Sequence, residues 1–124
     1  MPPVGARIWA IPEGCIPGGI VSSDRALASH EAACILNAGA RDAQGTIALL
    51  FEDREPIGPY RPTGGAHRTR HLRFNDLADP TPVPRDIGYA SLIESSEPIV
   101  VQHSRLDSRD PHIARLSIIA WTQG

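Results

Sequence analysis

The stretch SEPIVVQHSRLDSRD, residues 96–110, begins as a core strand and ends in polar groups. In an extended chain alternate residues share a face, so the face of Ile99 and Val101 continues into His103, Arg105, Asp107 and Arg109. Two interpretations are open at this point. Either the strand runs out of the core into solvent, or its polar end borders a pocket.

Short strand-length segments recur along the whole chain. Twelve prolines and eleven glycines among 124 residues leave little room for helices. The segments between them are rich in β-branched and aliphatic residues: ARIWAI, SHEAACILN, GTIALLFED, HRTRHLRF, YASLIES, PIVVQHSRL and ARLSIIAW. This spacing predicts an all-β antiparallel fold, either a sandwich or a barrel. The length predicts a single domain, residues 1–124, with one compact core.

Three connections between these segments are predicted to lack strands. The first, NAGARDAQG at residues 37–45, carries the Asn and Gly that turns with positive φ require. REPIGPYRPTGG at residues 54–65 and NDLADPTPVPRD at residues 75–86 are longer. Their prolines fix φ and remove hydrogen-bond donors, so we expect rigid coil or polyproline conformation there.

Composition limits the environment and the partners. The net charge of −2 and the pI near 6.2 give no global attraction to nucleic acid or anionic membrane. No apolar run approaches the ~20 residues of a membrane-spanning helix, and the N-terminus does not resemble a signal peptide. We therefore expect a cytoplasmic protein. Cys15 and Cys34 lack disulfide-scaffold or metal-binding spacing, so we expect reduced thiols, with Cys34 buried in a strand.

The histidines do not have the spacing of a metal site within one strand. His67 and His71 would share a helix face, but on a strand they lie about 13 Å apart, as do His103 and Asp107. A metal site assembled from several strands remains an alternative. Since the sequence has neither an HExxH motif nor a His-rich loop, we predict no metal and no cofactor.

Residues 60–74 form the one basic island on a slightly acidic chain, with four arginines, two histidines and no acid. One interpretation is a solvent-exposed face whose positive charge is balanced by nearby acids such as Asp76. The other is a nucleic-acid-binding surface formed by residues 61–73 and repeated around an oligomer. With this net charge, we do not expect tight duplex DNA binding at physiological salt.

The sequence carries no recognisable catalytic motif. It has no GxSxG nucleophile elbow, and GGAHRTR at residues 64–70 lacks the pattern of a phosphate-binding loop. No Ser or Cys stands in a recognisable context beside a base. We therefore expect no enzymatic activity. The alternative is an enzyme that acts on a small metabolite through His103 and Asp107.

Five segments, in this order, resemble the sensory rhodopsin transducer family, whose members are small proteins named after a cytoplasmic partner of a microbial rhodopsin. The resemblance covers nearly the whole chain. The segments are WAIPEGCIP (9–17), HEAACILNAG (30–39), DREPIGPYR (53–61), HLRFNDLADPTPVP (71–84) and PIVVQHSRLDSR (98–109). The sequence departs from the family at Cys15, where Tyr is common, and at Ser104, where Thr is common.

This resemblance implies a cytoplasmic β-sandwich that assembles into a homotetramer and has no catalytic activity. It also implies a binding role, either signal transduction with a membrane sensory rhodopsin in an organism that has one, or binding of a small polar, sugar-like ligand. The candidate ligand-binding residues are polar or aromatic and lie in the matching segments: Trp9, Glu13, His30, Glu31, Tyr60, Arg61, His71, Arg73, Gln102, His103, Arg105 and Asp107.

A sugar site needs rigid hydrogen-bonding groups and an aromatic or apolar surface for the ring. Arg105 is the expected bidentate donor and Asp107 the acceptor that orients it, with His30 and His71 as neighbours and Gln102 and His103 as further polar groups. Trp9, Tyr60 or Trp121 would supply the apolar surface, although packing in the core or an interface is an alternative for each. Arg105 and Asp107 could instead form salt bridges across a subunit interface.

Overall fold

The computed structural model describes residues 3–18, 29–107 and 114–123. The strands are β1 (Ala6–Gly14), β2 (His30–Asn37), β3 (Ala43–Leu50), β4 (Ile57–Tyr60), β5 (Thr63–Gly64), β6 (Arg68–Arg73), β7 (Tyr89–Asp107), β8 (Ala114–Ile119) and β9 (Trp121–Gln123). Every pairing between them is antiparallel. The prediction of an all-β antiparallel fold is confirmed.

The 19-residue strand β7 organises the sheet. Its first half pairs with β1 and β3, and its second half pairs with β2 and β8. The sequence predicted two separate strands here, but the chain stays extended through Pro98. Pro98 has no N–H to donate to a neighbouring strand. Next to it, the pairing of β1 with β7 is irregular, because the register shifts between Ala6 and Ile8, so Pro98 breaks no regular row of hydrogen bonds between these two strands. Residues 108–110 of the opening stretch lie outside the described residues.

Both halves of β7 contribute to one hydrophobic core. Odd-numbered positions of the strand point inward, as Ile93, Ile99 and Val101 show. They pack with Ile47 on β3 and Ile35 on β2, which face them through direct pairing with Ile93 and Val101. Because side chains alternate between the two faces of a strand, the odd-numbered residues of β7 after Val101 also point inward.

The prolines of residues 54–65 do not exclude strands, so this part of the prediction was wrong. Strand β4 pairs with β3, with Tyr60 opposite Ile47 and Ile57 opposite Leu49. Strand β4 lies at the edge of the sheet and, among the described strands, has one neighbour, β3. An edge position tolerates proline, because no second strand of the described sheet requires a hydrogen bond from the missing N–H of Pro59. Residues 77–86, in contrast, form no strand, as predicted.

The turn after β2 is held by a side chain instead of by positive φ angles. Buried Asn37 donates from Nδ2 to the carbonyl oxygens of Arg41 (2.8 Å) and Gly64 (2.9 Å), and its Oδ1 accepts from the N–H of Gly39 (3.0 Å). Gly39 does not have a positive φ angle. The prediction of a positive-φ turn was therefore wrong, because an Asx side chain can close a turn by hydrogen bonding alone.

The described residues contain one short helical segment, a 3-10 turn at Phe74–Asp76 that follows β6. Within these same residues no helix has the length and apolar character needed to cross a membrane.

Candidate functional site

A carboxylate lies at the centre of the candidate site. Glu31 on β2 is 0% exposed, yet its side chain accepts three hydrogen bonds. Oε1 accepts from Nε of Arg105 (2.7 Å) and from the backbone N–H of Cys15 (2.8 Å), and Oε2 is hydrogen-bonded to Nε2 of His103. The sheet explains this convergence, since Glu31 pairs directly with Arg105 and His103 lies two residues away on the same face of β7.

The charge of Glu31 is stabilised by its donors. Burial alone would raise the pKa of the carboxyl group, but the hydrogen bonds from His103, Cys15 and Arg105 lower the pKa overall below its ordinary value of 4.5. Glu31 is therefore ionised at neutral pH, and Nε2 of His103 must be the donor in their hydrogen bond. Burial lowers the pKa of Arg105, whereas the bond to Glu31 raises it and prevails.

A polar bridge fixes the backbone at the start of β2. Oδ1 of Asn75 accepts from the N–H of Glu31 (3.3 Å), and Nδ2 of Asn75 donates to the carbonyl oxygen of Ser29 (3.1 Å). Arg85 donates in turn to the carbonyl oxygens of Asn75 (3.4 Å) and Val83 (2.6 Å). The 3-10 turn thus positions the backbone of Glu31, and with it the carboxylate that accepts the hydrogen bond from Arg105.

Next to this cluster lies a cleft of about 580 Å³. The walls come from the end of β1, the segment after β3 and both ends of β7. The charged residues that line it are Glu13, Glu52, Asp53 and Arg105, and the larger apolar ones are Leu50, Phe51, Ile87 and Tyr89. The cleft therefore combines a donor, several acceptors and apolar surface, which is the mixture that small polar ligands require.

Arg105 joins the buried cluster to the cleft. Its side chain is 29% exposed, and within the described part of the chain its one hydrogen bond runs from Nε to Glu31. Both terminal guanidinium nitrogens therefore keep their donor capacity. Because Glu31 fixes the plane of the guanidinium, this donor edge is rigid.

Tyr89 adds a buried hydroxyl that hydrogen-bonds to no described group. The residue lines the cleft, is 5% exposed, and packs its ring against Phe74 at 6.0 Å between centroids. Burial, followed by the charge of Glu31, raises the pKa of the phenol, which stays neutral. A neutral buried hydroxyl of this kind can donate to or accept from a polar group that reaches it.

The structure brings four of the predicted residues together: Glu13, Glu31, His103 and Arg105. Asp107 is half-buried two positions beyond Arg105 on the same face. We predicted Asp107 as the acceptor that orients Arg105, but the acceptor in the structure is Glu31. That partner lies 74 residues away in sequence.

Several other predicted residues lie on the opposite face of the β6–β2–β7 sheet. Nδ1 of His71 contacts Sγ of the half-buried, free thiol of Cys34 at 3.4 Å, and Gln102 pairs with Cys34 from the other side. His71 is thus not a neighbour of Arg105, because even-numbered β2 positions face away from Glu31. The same alternation places His30 and Arg73, which pairs with Ala32, on that face.

Two of the three predicted aromatic platforms, Trp9 and Tyr60, are parts of the core. Trp9 is 4% exposed, and its Nε1 donates to the carbonyl oxygens of Ala6 (3.0 Å) and Ile99 (3.1 Å). Tyr60 is buried, and its hydroxyl donates to the carbonyl oxygen of Thr81 (2.6 Å). Trp121 lies exposed on β9, away from the residues lining the cleft.

The basic island faces solvent, and some of its donors are used locally. Arg70 donates to the carbonyl oxygen of Thr63 (2.7 Å), and Arg68 donates to that of His67 (3.1 Å). Arg61 and Arg70 line a second cleft of about 360 Å³, which also contains the acids Asp76 and Asp79. This arrangement matches the solvated-face interpretation of the island.

The sequence predicted that His67 and His71 share one strand, but only His71 lies in β6. His67 lies in the turn before the strand with a φ of 53°, so only His71 of the pair is in the strand. Among the residues that the structure describes, no three His, Cys, Asp or Glu side chains are grouped as metal ligands would be.

Sequence reasoning missed Tyr89, Phe51, Asn75 and the N–H of Cys15. A signal for Tyr89 was present: reading residues 89–107 as one strand places it on the same face as His103 and Arg105. Phe51, Asn75 and Cys15 lie outside the strands, where alternation gives no information.

Fold and site together define a small all-β protein in which a buried carboxylate holds an arginine at the wall of an open cleft. The sequence model of the Anabaena sensory rhodopsin transducer family matches residues 4–122, and the chain belongs to that family. The resemblance predicted from the five segments is confirmed.

Two solved structures are similar to this chain. The Anabaena sensory rhodopsin transducer is 50% identical, with 83% of this chain and 97% of that chain covered and a TM-score of 0.76. A Thermotoga maritima crystal structure, of the protein numbered 1070, is 34% identical, with 96% of each chain covered and a TM-score of 0.84. No curated protein matches the sequence.

Proposed function

We propose that this protein is a non-catalytic module that binds a small polyhydroxylated, sugar-like ligand in the cleft beside Arg105. One observation carries the proposal. The buried carboxylate of Glu31 fixes Nε of Arg105, and no described residue uses the terminal nitrogens of this guanidinium, which lies at the wall of a cleft of about 580 Å³. A rigid planar donor is suited to two neighbouring hydroxyl groups.

The remaining lining of the cleft supports this ligand chemistry. Glu13 and Glu52 offer acceptors for hydroxyl groups, and Leu50 and Phe51 offer apolar surface for the C–H face of a sugar ring. His103 is buried and bonded to Glu31, so it does not present a free base to a substrate. This position favours binding over the metabolite-enzyme alternative.

A role in signalling follows from the family. The family and one similar structure carry the name of a sensory rhodopsin transducer, and we extend a signal-transducing role to this chain, with a membrane sensory rhodopsin as partner if the organism has one. On the same basis we propose a cytoplasmic location and a single domain spanning residues 1–124.

We further propose that copies assemble, as the homotetramer that the resemblance implies. An apolar row crosses the outer face of four strands, where Trp121, Ala10, Leu92 and Ala48 follow one another through direct pairing. Trp121 is 60% exposed. A two-fold interface brings a patch against its own copy, so an uncharged row with two large and two small side chains suits self-association. Sedimentation of the wild type as a 13.3 kDa monomer at micromolar concentration would contradict assembly.

A thermal-shift screen tests the proposed binding function. A ligand that binds only the folded state raises the melting temperature, so we expect at least one neutral sugar or polyol to raise the Tm of the wild type. The matched variants are Arg105→Lys, which keeps a cation beside Glu31 but lacks the planar donor edge, and Arg68→Lys outside the cleft. We expect the shift to be lost in the first and kept in the second. A shift of equal size in both variants would contradict the assignment of Arg105.

A further inference from the structure

The charges around the cleft are unequal. Among the described residues, Glu13, Glu52 and Asp53 line it together with a single cation, Arg105. The charge of Arg105 is already matched by Glu31, which lies 2.7 Å from its Nε. The described lining of the cleft therefore has no net positive charge to offer an acidic ligand.

The three acids that line the cleft differ in whether a nearby cation balances their negative charge. Asp53 forms an ion pair with Arg54 at 3.2 Å, and Arg54 also lies over the ring of Phe51. Glu13 and Glu52, in contrast, form no ion pair within the described residues, although the charge of Glu13 contributes to raising the pKa of Arg105. Two carboxylates without a described ion-pair partner thus give the lining of the cleft a negative potential.

We infer that the cleft selects polyhydroxyl ligands without an acidic group, and that an amine on such a ligand increases its affinity. This inference rests on the proposed binding function and specifies its ligand class. A neutral polyol can use Arg105 as donor and Glu13 and Glu52 as acceptors. An acid meets an Arg105 whose charge Glu31 already balances, and both exposed carboxylates repel it, whereas an amine is attracted to them.

The expected size of the charge effect follows from exposure. Glu13 and Glu52 are exposed, so solvent and salt screen them, and each is expected to change affinity by about twofold to fivefold. The effect should weaken as ionic strength rises, because the Debye length falls from about 30 Å at 0.01 M to about 8 Å at 0.15 M salt.

Matched sugar sets test the inference by titration calorimetry at low and physiological salt. Each set shares one skeleton: glucose, glucosamine and glucuronate, and galactose, galactosamine and galacturonate. We expect the amine to bind more tightly than the neutral sugar and the acid to bind most weakly. The double variant Glu13→Gln/Glu52→Gln should bring the three affinities within about twofold, whereas Glu94→Gln, at an exposed β7 position outside the cleft, should leave the order unchanged.

The outcomes separate the inference from the function on which it rests. Tighter binding of the acids, or an order that the double variant does not change, would overturn the inference and leave a ligand-binding cleft in place. If no member of either set binds to the wild type, the inference fails together with this proposed ligand class. Circular dichroism of the double variant checks that its fold is intact.

Discussion

The buried carboxylate of Glu31 gives the most specific stability prediction, tested by Glu31→Gln. Glutamine keeps the shape and one oxygen acceptor but removes the charge that balances Arg105. His103 is nearly fully buried and cannot recover its lost bond from water, while Arg105 is partly exposed and can be rehydrated. Breaking a buried pair costs roughly 3–5 kcal/mol, so we expect a loss of about 3 kcal/mol, at the lower end of that range.

The pH dependence of this loss identifies its electrostatic origin. The folded-state pKa of Glu31 lies below its ordinary value of 4.5. As the pH falls, the unfolded state is therefore protonated first, and the stabilisation from Glu31 disappears as the pH passes through the folded-state pKa. The difference in unfolding free energy between wild type and Glu31→Gln should be full at pH 7 and shrink steadily below pH 4.5.

Urea unfolding at fixed protein concentration measures both quantities, since any assembly makes stability depend on concentration. Glu94→Gln is the control, because it neutralises an exposed carboxylate on β7 and should change stability by no more than about 0.5 kcal/mol. Equal stability of Glu31→Gln and wild type at pH 7 would refute the argument. So would a difference that stays constant down to pH 3, because it would then not come from the charge.

Three further predictions concern other parts of the fold. Gly14→Ala should cost about 1–3 kcal/mol, because a Cβ atom there would lie 2.8 Å from the ring of Tyr89; chemical denaturation measures this, and an unchanged midpoint would contradict the packing. Tyr89→Phe should leave the stability of the ligand-free protein equal or slightly higher, since it removes a buried hydroxyl without a described partner; a loss above about 1 kcal/mol would reveal a partner. Fluorescence anisotropy with random duplex DNA should show no nanomolar binding at about 0.15 M salt, because the basic island is local and the net charge is −2; nanomolar binding would contradict this account.

Alternation along one strand could be read from the sequence, and it correctly placed His103 and Arg105 on the face that continues from Val101. The partner of Arg105 could not be found in this way. Glu31 reaches it only through the register of β2 against β7, and a single sequence does not determine which strands pair. Asp107 was nearer in sequence, and proximity alone favoured it.

The remaining differences also have physical causes. Strand β4 was missed because proline normally excludes a strand, although an edge strand tolerates it. Trp9 was proposed as a ligand platform, but its N–H finds two carbonyl acceptors inside the core, which removes the cost of burying it. Phe51 lines the cleft but lies outside the strands, so strand alternation gave no signal for it, whereas Tyr89 could have been placed by reading residues 89–107 as one strand.

Titration calorimetry of Arg105→Lys tests the central claim most directly, using the neutral sugar or polyol with the largest thermal shift. The wild type and Arg68→Lys should bind this compound with the same affinity. Arg105→Lys should bind it at least about tenfold more weakly, which corresponds to the loss of one or two hydrogen bonds. Equal affinity in all three proteins would show that the ligand does not contact Arg105 and would contradict the assignment of the cleft as the binding site.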